Sequence, residues 1–142
     1  MKIFHRLILS GAARLIDVEG NQASDEFTPV NAVVDDDRVW KLPPGFIGKP
    51  NGQLCYMFSS NVNIGGFMAR NAGDEEDEFG TIDFTIYADG NVEVEGELTA
   101  GSNQLIRFPL EKKNIRAKKI CFVVKSFVGA NGSGALKYFW FY

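Results

Sequence analysis

The chain has 142 residues, of which 45% are hydrophobic and 23% charged, and its formal net charge is −3. This size and composition fit one globular domain with a buried core, so we expect residues 1–142 to form a single domain. The slight acidic excess argues against nucleic-acid binding, because a nucleic-acid partner needs a basic surface. One histidine and two cysteines are too few for a histidine-rich zinc site or a disulfide scaffold. We therefore expect no metal and no cofactor.

The N-terminal segment and the two cysteines bear on where the protein is made. The apolar stretch at 7–13 is short and contains Ser10 and Gly11, so we expect neither a cleaved signal peptide nor a membrane span. A soluble protein made in the cytoplasm keeps its thiols reduced. We therefore expect Cys55 and Cys121 to be reduced residues in strands, with a disulfide between them as the alternative.

The N-terminal half is predicted to form short strands separated by polar turns and by loops rich in proline and glycine. A long loop at 43–52 holds Phe46, and an acidic loop covers 71–80. The predicted strands are 3–9, 15–18, 30–34, 38–42, 54–58 and 64–68.

Alternation of polar and apolar residues is clearest in the C-terminal half, where period two indicates strands with one solvated face. Asp89-Gly90 is a pair typical of tight hairpin turns. Pro109 indicates that its strand lies at a sheet edge or ends there, because proline cannot donate to the ladder. The last strand is apolar on both faces, so both should be covered. The predicted strands are 81–86, 91–95, 105–110, 119–127 and 136–142.

The spacing of these strands predicts the fold class. About nine or ten short strands alternate with Gly, Asn, Asp and Pro turns, and no segment shows a sustained helical period. We therefore expect an all-β protein, a single-domain antiparallel β-sandwich of jelly-roll type.

No residue pattern points to catalysis. The carboxylate runs at 74–78 and 35–37 could ligate calcium, but consecutive carboxylates cannot all converge on one ion, and solvated acidic loops are the simpler interpretation. His5 lies in an apolar strand, and no serine or cysteine carries a nucleophile motif. We expect a protein that is not an enzyme.

Aromatic side chains are concentrated in the last strand and beside the Pro43-Pro44 pair. An exposed apolar patch of this kind usually marks an interface, and exposed tryptophan and tyrosine rings can instead stack on sugars. The alternative is that both tryptophans are core residues. The candidate interface aromatics are Trp40, Phe46, Tyr138, Trp140 and Tyr142. The candidate sugar-binding residues are Trp40, Tyr56, Tyr87 and Trp140.

Charge is segregated along the chain. Ten acidic and no basic residues lie between 74 and 97, whereas eight basic residues and one acidic residue lie between 107 and 137. On separate faces, these regions would favour head-to-tail contacts between copies of the chain. On adjacent strands they would simply neutralise each other. Under the first interpretation Lys112, Lys113 and Arg116 belong to the interface.

Three segments of the chain resemble two known kinds of protein. The segments at 7–15 (LILSGAARL) and 57–65 (MFSSNVNIG) are similar to small bacteriophage virion proteins. The segment from FTIYADG at 84–90 onward resembles galactose-binding-like jelly rolls, a fold used by carbohydrate-binding modules and by capsid and tail proteins.

The resemblance to virion proteins implies a non-enzymatic structural role, as a capsid decoration (cement) protein or a tail accessory protein. Its partners would be further copies of itself and a major capsid or tail protein, with no nucleic acid and no membrane. It would be made in the host cytoplasm and function in the virion. The alternative is a carbohydrate-binding module with a glycan as partner. Fold by itself does not decide between them.

Overall fold

The computed structural model describes most of the chain, from residue 13 onward. The described residues are 13–16, 22–33, 38–48, 52–72, 79–102, 104–110, 114–129 and 132–142. The predicted strand 3–9, the acidic runs 35–37 and 74–78, and Lys112 and Lys113 lie outside them. No helix in the described part of the chain is long and apolar enough to span a membrane.

The described residues form nine strands in two antiparallel sheets. The strands are β1 Ala13–Leu15, β2 Trp40–Lys41, β3 Gln53–Ile64, β4 Gly66–Asn71, β5 Asp83–Ala88, β6 Asn91–Glu97, β7 Leu105–Pro109, β8 Ile115–Val124 and β9 Ala135–Phe141. Two short 3₁₀ helices, Asp25–Phe27 and Pro29–Val33, precede β2. The five-stranded sheet has the order β1-β3-β8-β5-β6, and the four-stranded sheet has the order β2-β9-β4-β7.

The sheets pack face to face through aromatic rings, which confirms the predicted antiparallel β-sandwich. The Phe139 ring of the four-stranded sheet lies 5.6 Å from Tyr56 and 5.3 Å from Phe122 of the five-stranded sheet, between ring centroids. Phe67 stacks on the same Phe139 ring, at 6.1 Å. Such pairs contribute about 0.5–1.5 kcal/mol each beyond the area they bury. The core therefore lies where β9 and β4 cross β3 and β8.

The last strand is covered on both faces, as its sequence predicted. β9 lies between β2 and β4, and the 3₁₀ helix Pro29–Val33 packs beside it. Tyr138, Phe139 and Trp140 are all 5% exposed or less. Because both faces of β9 are covered, its successive side chains are buried, and almost all of them are apolar.

The β5–β6 hairpin confirms the turn predicted at Asp89-Gly90. Asp89 has a φ of 50° and Gly90 a φ of 83°, as a tight hairpin turn between twisted strands requires. The Asp89 Oδ1 also accepts the backbone N–H groups of Lys118 and Lys119, both at 3.0 Å. The turn is therefore fastened to β8. The edge position predicted for the strand with Pro109 is also confirmed, because β7 ends the four-stranded sheet.

The strand predicted at 30–34 is wrong, because Pro29–Val33 is a 3₁₀ helix. The side chain of Asn31 donates hydrogen bonds to the carbonyl oxygens of Glu26 (2.7 Å) and Val39 (2.8 Å). Asparagine bonds of this kind offer the backbone an alternative to a sheet ladder. Ala32 and Val33 of this segment are buried, and the helix packs beside β9, whereas Val30 is 43% exposed.

The prediction of reduced cysteines is also wrong, because Cys55 and Cys121 form a disulfide. They are register partners on the neighbouring strands β3 and β8, with Cα atoms 4.1 Å apart. They pack with Val123 in a small apolar cluster separate from the main core. The alternative, a disulfide between them, therefore holds, and the register of β3 against β8 brings the two residues together across 66 positions of sequence.

Replacing both cysteines by alanine is expected to destabilise the domain by about 4 kcal/mol, because the disulfide closes a 66-residue loop in the unfolded chain. Urea unfolding of the oxidised protein and of the double variant measures this difference. Equal midpoints, or two reactive thiols in the native protein, would contradict it.

Gly96→Ala is expected to destabilise the domain by about 1–3 kcal/mol through overpacking. A Cβ at this position would lie 2.6 Å from Cζ of Phe84. That ring is 1% exposed and held by Phe108 and Phe122. Gly65→Ala is the matched control, because its Cβ would meet nothing closer than 3.3 Å. Thermal melts should give a lower melting temperature for Gly96→Ala than for Gly65→Ala. Equal melting temperatures would contradict this prediction, because they would show that the Phe84 ring moves aside for the added methyl group.

Candidate functional site

Most aromatic residues predicted to form a binding surface are buried. Trp40 and Tyr56 are 0% exposed, and Trp140 is 5% exposed. Tyr138, a predicted interface residue, is 4% exposed. A ring without an exposed face can neither stack on a sugar nor contact another protein. The expectation of an exposed platform at these four positions is therefore corrected: they belong to the core.

Tyr56 has a structural role that explains its burial. Its hydroxyl donates a 2.7 Å hydrogen bond to the carbonyl oxygen of Phe139 and so ties β3 to β9 across the sandwich. Burial, and secondarily the neighbouring Tyr138, raises the pKa of Tyr56 well above the ordinary value for tyrosine. The residue therefore stays protonated at alkaline pH while the domain remains folded.

The stability that Tyr56 supplies is expected to fall as pH rises above about 10, because the unfolded chain ionises this hydroxyl there and the folded chain does not. Tyr56→Phe should cost about 1 kcal/mol at pH 7 through the lost hydrogen bond and should flatten the alkaline decline. Urea midpoints at pH 7 and pH 11 measure both effects. An alkaline decline as steep in the variant as in the original chain would contradict this account.

The accessible residues among the sequence predictions do not lie together. Tyr87 is half-buried on the five-stranded sheet, opposite Cys121. Arg116 is exposed on β8, and Phe46 is half-buried in the loop after β2. Tyr142 is 39% exposed beside Gly66 of the four-stranded sheet. These residues belong to different sheets and loops, and the structure does not bring them together as one surface.

The acidic and basic stretches of sequence meet on adjacent strands. β8, which carries Arg116, pairs directly with β5 of the acidic hairpin. An open groove of about 540 Å³ lies on this sheet, lined by Asp83, Thr85, Glu95, Glu97 and Lys125 among others. The arrangement favours the interpretation that these charges neutralise each other. Contacts between copies of the chain stay a prediction.

One end of the sandwich gathers the connections that follow β2, β4, β6 and β8, here called the loop end. Asn71 holds two of them together: its side chain donates to the carbonyl oxygens of Thr81 (2.9 Å) and Thr99 (3.1 Å). Its Oδ1 accepts from the N–H groups of Ala72 and Thr81. Thr81 in turn donates through its hydroxyl to the carbonyl oxygen of Ala135, at 2.8 Å. The loop end is therefore built on a buried, fully bonded polar network.

At the loop end, a lysine side chain lies against two aromatic rings. The Lys41 Nζ lies 5.2 Å from the ring centroid of Phe27 and 4.7 Å from that of Phe79. All three side chains are half-buried, and we call them the loop-end cluster. Three separate chain segments supply them: Ala23 donates to the carbonyl oxygen of Lys41, and Phe79 bridges to Ser133.

Sequence reasoning missed Phe27 and Phe79, because both lie next to acidic residues in segments that read as loops. The available signal was a single large apolar residue in an otherwise polar segment. Because a polar segment offers no apolar partner of its own, its phenylalanine either remains exposed to solvent or packs on a neighbouring loop.

Metal binding finds no support within the described ranges. No group of three or more His, Cys, Asp or Glu side chains there could hold a metal ion.

Comparison with solved structures gives extensive matches to carbohydrate-binding modules. A family 32 module from a family 31 glycoside hydrolase of Clostridium perfringens is 16% identical, with a TM-score of 0.72 over 92% of this chain and 93% of that one. A family 32 module of Streptococcus pneumoniae EndoD is 16% identical, with a TM-score of 0.68 over 92% and 94%. The family 32 module of C. perfringens NanJ, in complex with galactose, is 15% identical, with a TM-score of 0.60 over 89% of each chain.

The chain shares their fold. At this level of identity the likeness establishes the β-sandwich of jelly-roll type that the strand spacing predicted, and it establishes nothing about ligand or activity. No protein-family model matches the sequence, and no curated protein matches it.

Proposed function

We propose that the protein is a carbohydrate-binding module that binds a galactose-type sugar at the loop end. The observation that carries this proposal is the likeness in fold, over about nine tenths of the chain, to modules of which one holds galactose. The loop-end cluster supplies accessible aromatic and cationic groups in one place. The virion role lacks comparable support, because the buried Trp40, Tyr138 and Trp140 cannot form its contact surface.

The chemistry of the loop-end cluster suits a neutral sugar. An aromatic ring offers an apolar, weakly negative face to the C–H groups on one side of a pyranose. The axial 4-hydroxyl of galactose leaves the opposite side of its ring with a continuous row of C–H groups. The Lys41 ammonium carries three donors for the hydroxyl oxygens at the rim of the sugar. Binding sites of this kind combine apolar walls with a few polar groups that set orientation.

The network beneath the cluster prepares the site before the sugar arrives. Asn71 and Thr81 hold the surrounding connections through buried hydrogen bonds. A loop ordered in advance loses little conformational entropy on binding, which raises affinity. This matters for a single sugar, whose few atoms can contribute only limited binding free energy.

The disulfide bears on where such a module would function. Disulfides persist in oxidising compartments and are rare in the cytoplasm. Cys55 and Cys121 are 1% and 5% exposed, so the bond is shielded from soluble reductants. We propose a location outside the reducing cytoplasm, where extracellular glycans are available, in place of cytoplasmic production and assembly into a virion.

Binding of methyl β-galactoside, measured by isothermal titration calorimetry, tests the proposal. Phe79→Ala and Phe27→Ala should each weaken binding about three- to tenfold, since each removes one aromatic face. Val92→Ala is the matched control, because Val92 is 53% exposed on β6 and outside the loop end. It should leave affinity unchanged.

Two results would overturn the proposal. One is the absence of binding to methyl β-galactoside and to every galactose-terminated glycan on an array. The other is unchanged affinity in both phenylalanine variants, with folding verified by thermal melts.

A further inference from the structure

The open groove on the five-stranded sheet lies where β5 begins and where β6 and β8 end. Its volume of about 540 Å³ is in the range of pockets that hold small ligands. Across β5 and β6, register sets Asp83 opposite Glu97, and it sets Thr85 opposite Glu95 in the next row. Phe84 is buried in the core, so its neighbours Asp83 and Thr85 point to the outer face. These two pairs of side chains line the groove together.

The charges along this groove do not balance. Asp83 and Glu97 lie directly opposite each other, and like charges in that position are destabilising. Glu95 is the third carboxylate of the described lining, and Lys125 is its one cation. Three negative charges and one positive charge leave a net charge of −2. None of these exposed groups forms an ion pair with another described residue, so the excess negative charge is accessible to a cationic ligand.

A buried hydroxyl opens into the same groove. Thr85 is 3% exposed, and its register partners are Glu95 on β6 and Val123 on β8. Within the described ranges its hydroxyl has no hydrogen-bond partner. No side-chain oxygen of those ranges is both fully enclosed and unbonded, so this oxygen reaches the groove. A poorly solvated hydroxyl without a partner costs free energy, which a ligand recovers by bonding to it.

Ser126 fixes the orientation of the Asp83 carboxylate. The Ser126 Oγ donates to Oδ2 of Asp83 at 2.8 Å and accepts from the backbone N–H of Asp83 at 2.9 Å. The carbonyl oxygen of Asp83 accepts from the N–H of Lys125 at 2.7 Å, which fastens the start of β5 to the end of β8. A carboxylate that is oriented in advance loses little conformational entropy when a ligand binds.

We propose that this groove binds a sugar that carries a free amino group. The sugar ammonium lies between Asp83 and Glu97, where charge-assisted hydrogen bonds replace the repulsion between the two carboxylates. Thr85 and Glu95 follow about 7 Å farther along the strands, and they bond hydroxyl groups of the sugar.

Lys125 distinguishes an amino sugar from other cations. Its ammonium donates to hydroxyl oxygens and repels a second ammonium. The mixed lining therefore suits one amine among hydroxyl groups better than a polyamine or a lysine-rich peptide. The described lining shares no residue with the loop-end cluster, so the inference does not depend on galactoside binding there.

Calorimetry with three probes tests this inference at about pH 6, where amino groups are protonated. The probes are a disaccharide of glucosamine, its N-acetylated counterpart and spermidine. The glucosamine disaccharide should bind, and acetylation should weaken binding about tenfold or more because it removes the charge. Spermidine should bind more weakly than the disaccharide, because it leaves Thr85 unbonded and brings further ammonium groups near Lys125.

Variants locate the binding. Glu97→Gln should weaken binding of the glucosamine disaccharide about tenfold, the size expected for one lost charge-assisted hydrogen bond. Glu93→Gln is the matched control, because it makes the same change on the same strand outside the described lining, and it should have little effect. Thr85→Val should weaken binding about three- to tenfold. Thr85→Val should melt no lower than the original chain, because the hydroxyl it removes has no partner in the described protein.

The inference is overturned if the glucosamine disaccharide fails to bind, or if the acetylated disaccharide or spermidine binds as tightly. It is also overturned if Glu93→Gln loses as much affinity as Glu97→Gln, which would indicate diffuse charge attraction, or if Thr85→Val binds as the original chain does. A lower melting temperature for Thr85→Val would show a bond within the protein and would remove the hydroxyl from the site.

Crossed measurements separate the two proposed sites. Glu97→Gln should leave methyl β-galactoside binding intact, and Phe79→Ala should leave binding of the glucosamine disaccharide intact. Loss of disaccharide binding in Phe79→Ala would place that ligand at the loop end and overturn the groove site. Absence of methyl β-galactoside binding in the original chain would overturn the loop-end site and leave the groove site standing.

Discussion

The structure depends on the ring of Phe139, which joins the two sheets at the centre of the sandwich. Tyr56 and Phe122 contact it from the five-stranded sheet and Phe67 from its own. The Tyr56 hydroxyl adds a hydrogen bond to the carbonyl oxygen of the same residue. A buried donor that lost this partner would carry its full desolvation cost. The packed rings and the hydrogen bond of Tyr56 therefore converge on Phe139, and together they fix the position of β9, which begins at the loop end.

Both ends of β9 are held in place by hydrogen bonds. At the loop end, β9 begins at Ala135, whose carbonyl oxygen accepts the Thr81 hydroxyl, and β2 pairs with it to hold Lys41 in place. At the opposite end, the residue after β9 is Tyr142, fastened to Gly65 and Gly66. One strand thus orders both the aromatic–cation cluster at the loop end and the accessible Tyr142 at the opposite end.

The sequence predicted local features well, because local chemistry determines them. The Asp89-Gly90 hairpin, the edge position of Pro109 and the doubly buried last strand all follow from turn preference, missing donors and apolar pattern. Features that depend on distant partners escaped prediction. The disulfide needs the register of β3 against β8, and the burial of Trp40 and Trp140 needs the placement of β9. Phe27 and Phe79 both reach Lys41 only because separate connections converge, whereas most of the aromatic residues that composition singled out are buried in the core.

We propose that the loop end binds a galactoside. The most direct measurement is a titration of ¹⁵N-labelled protein with methyl β-galactoside, followed by amide chemical shifts. We predict saturable shifts for the amides of Phe27, Lys41, Phe79 and Ser133, with the β5–β6 hairpin unchanged. Absence of shifts, or shifts centred on another surface with the loop end silent, would contradict the claim.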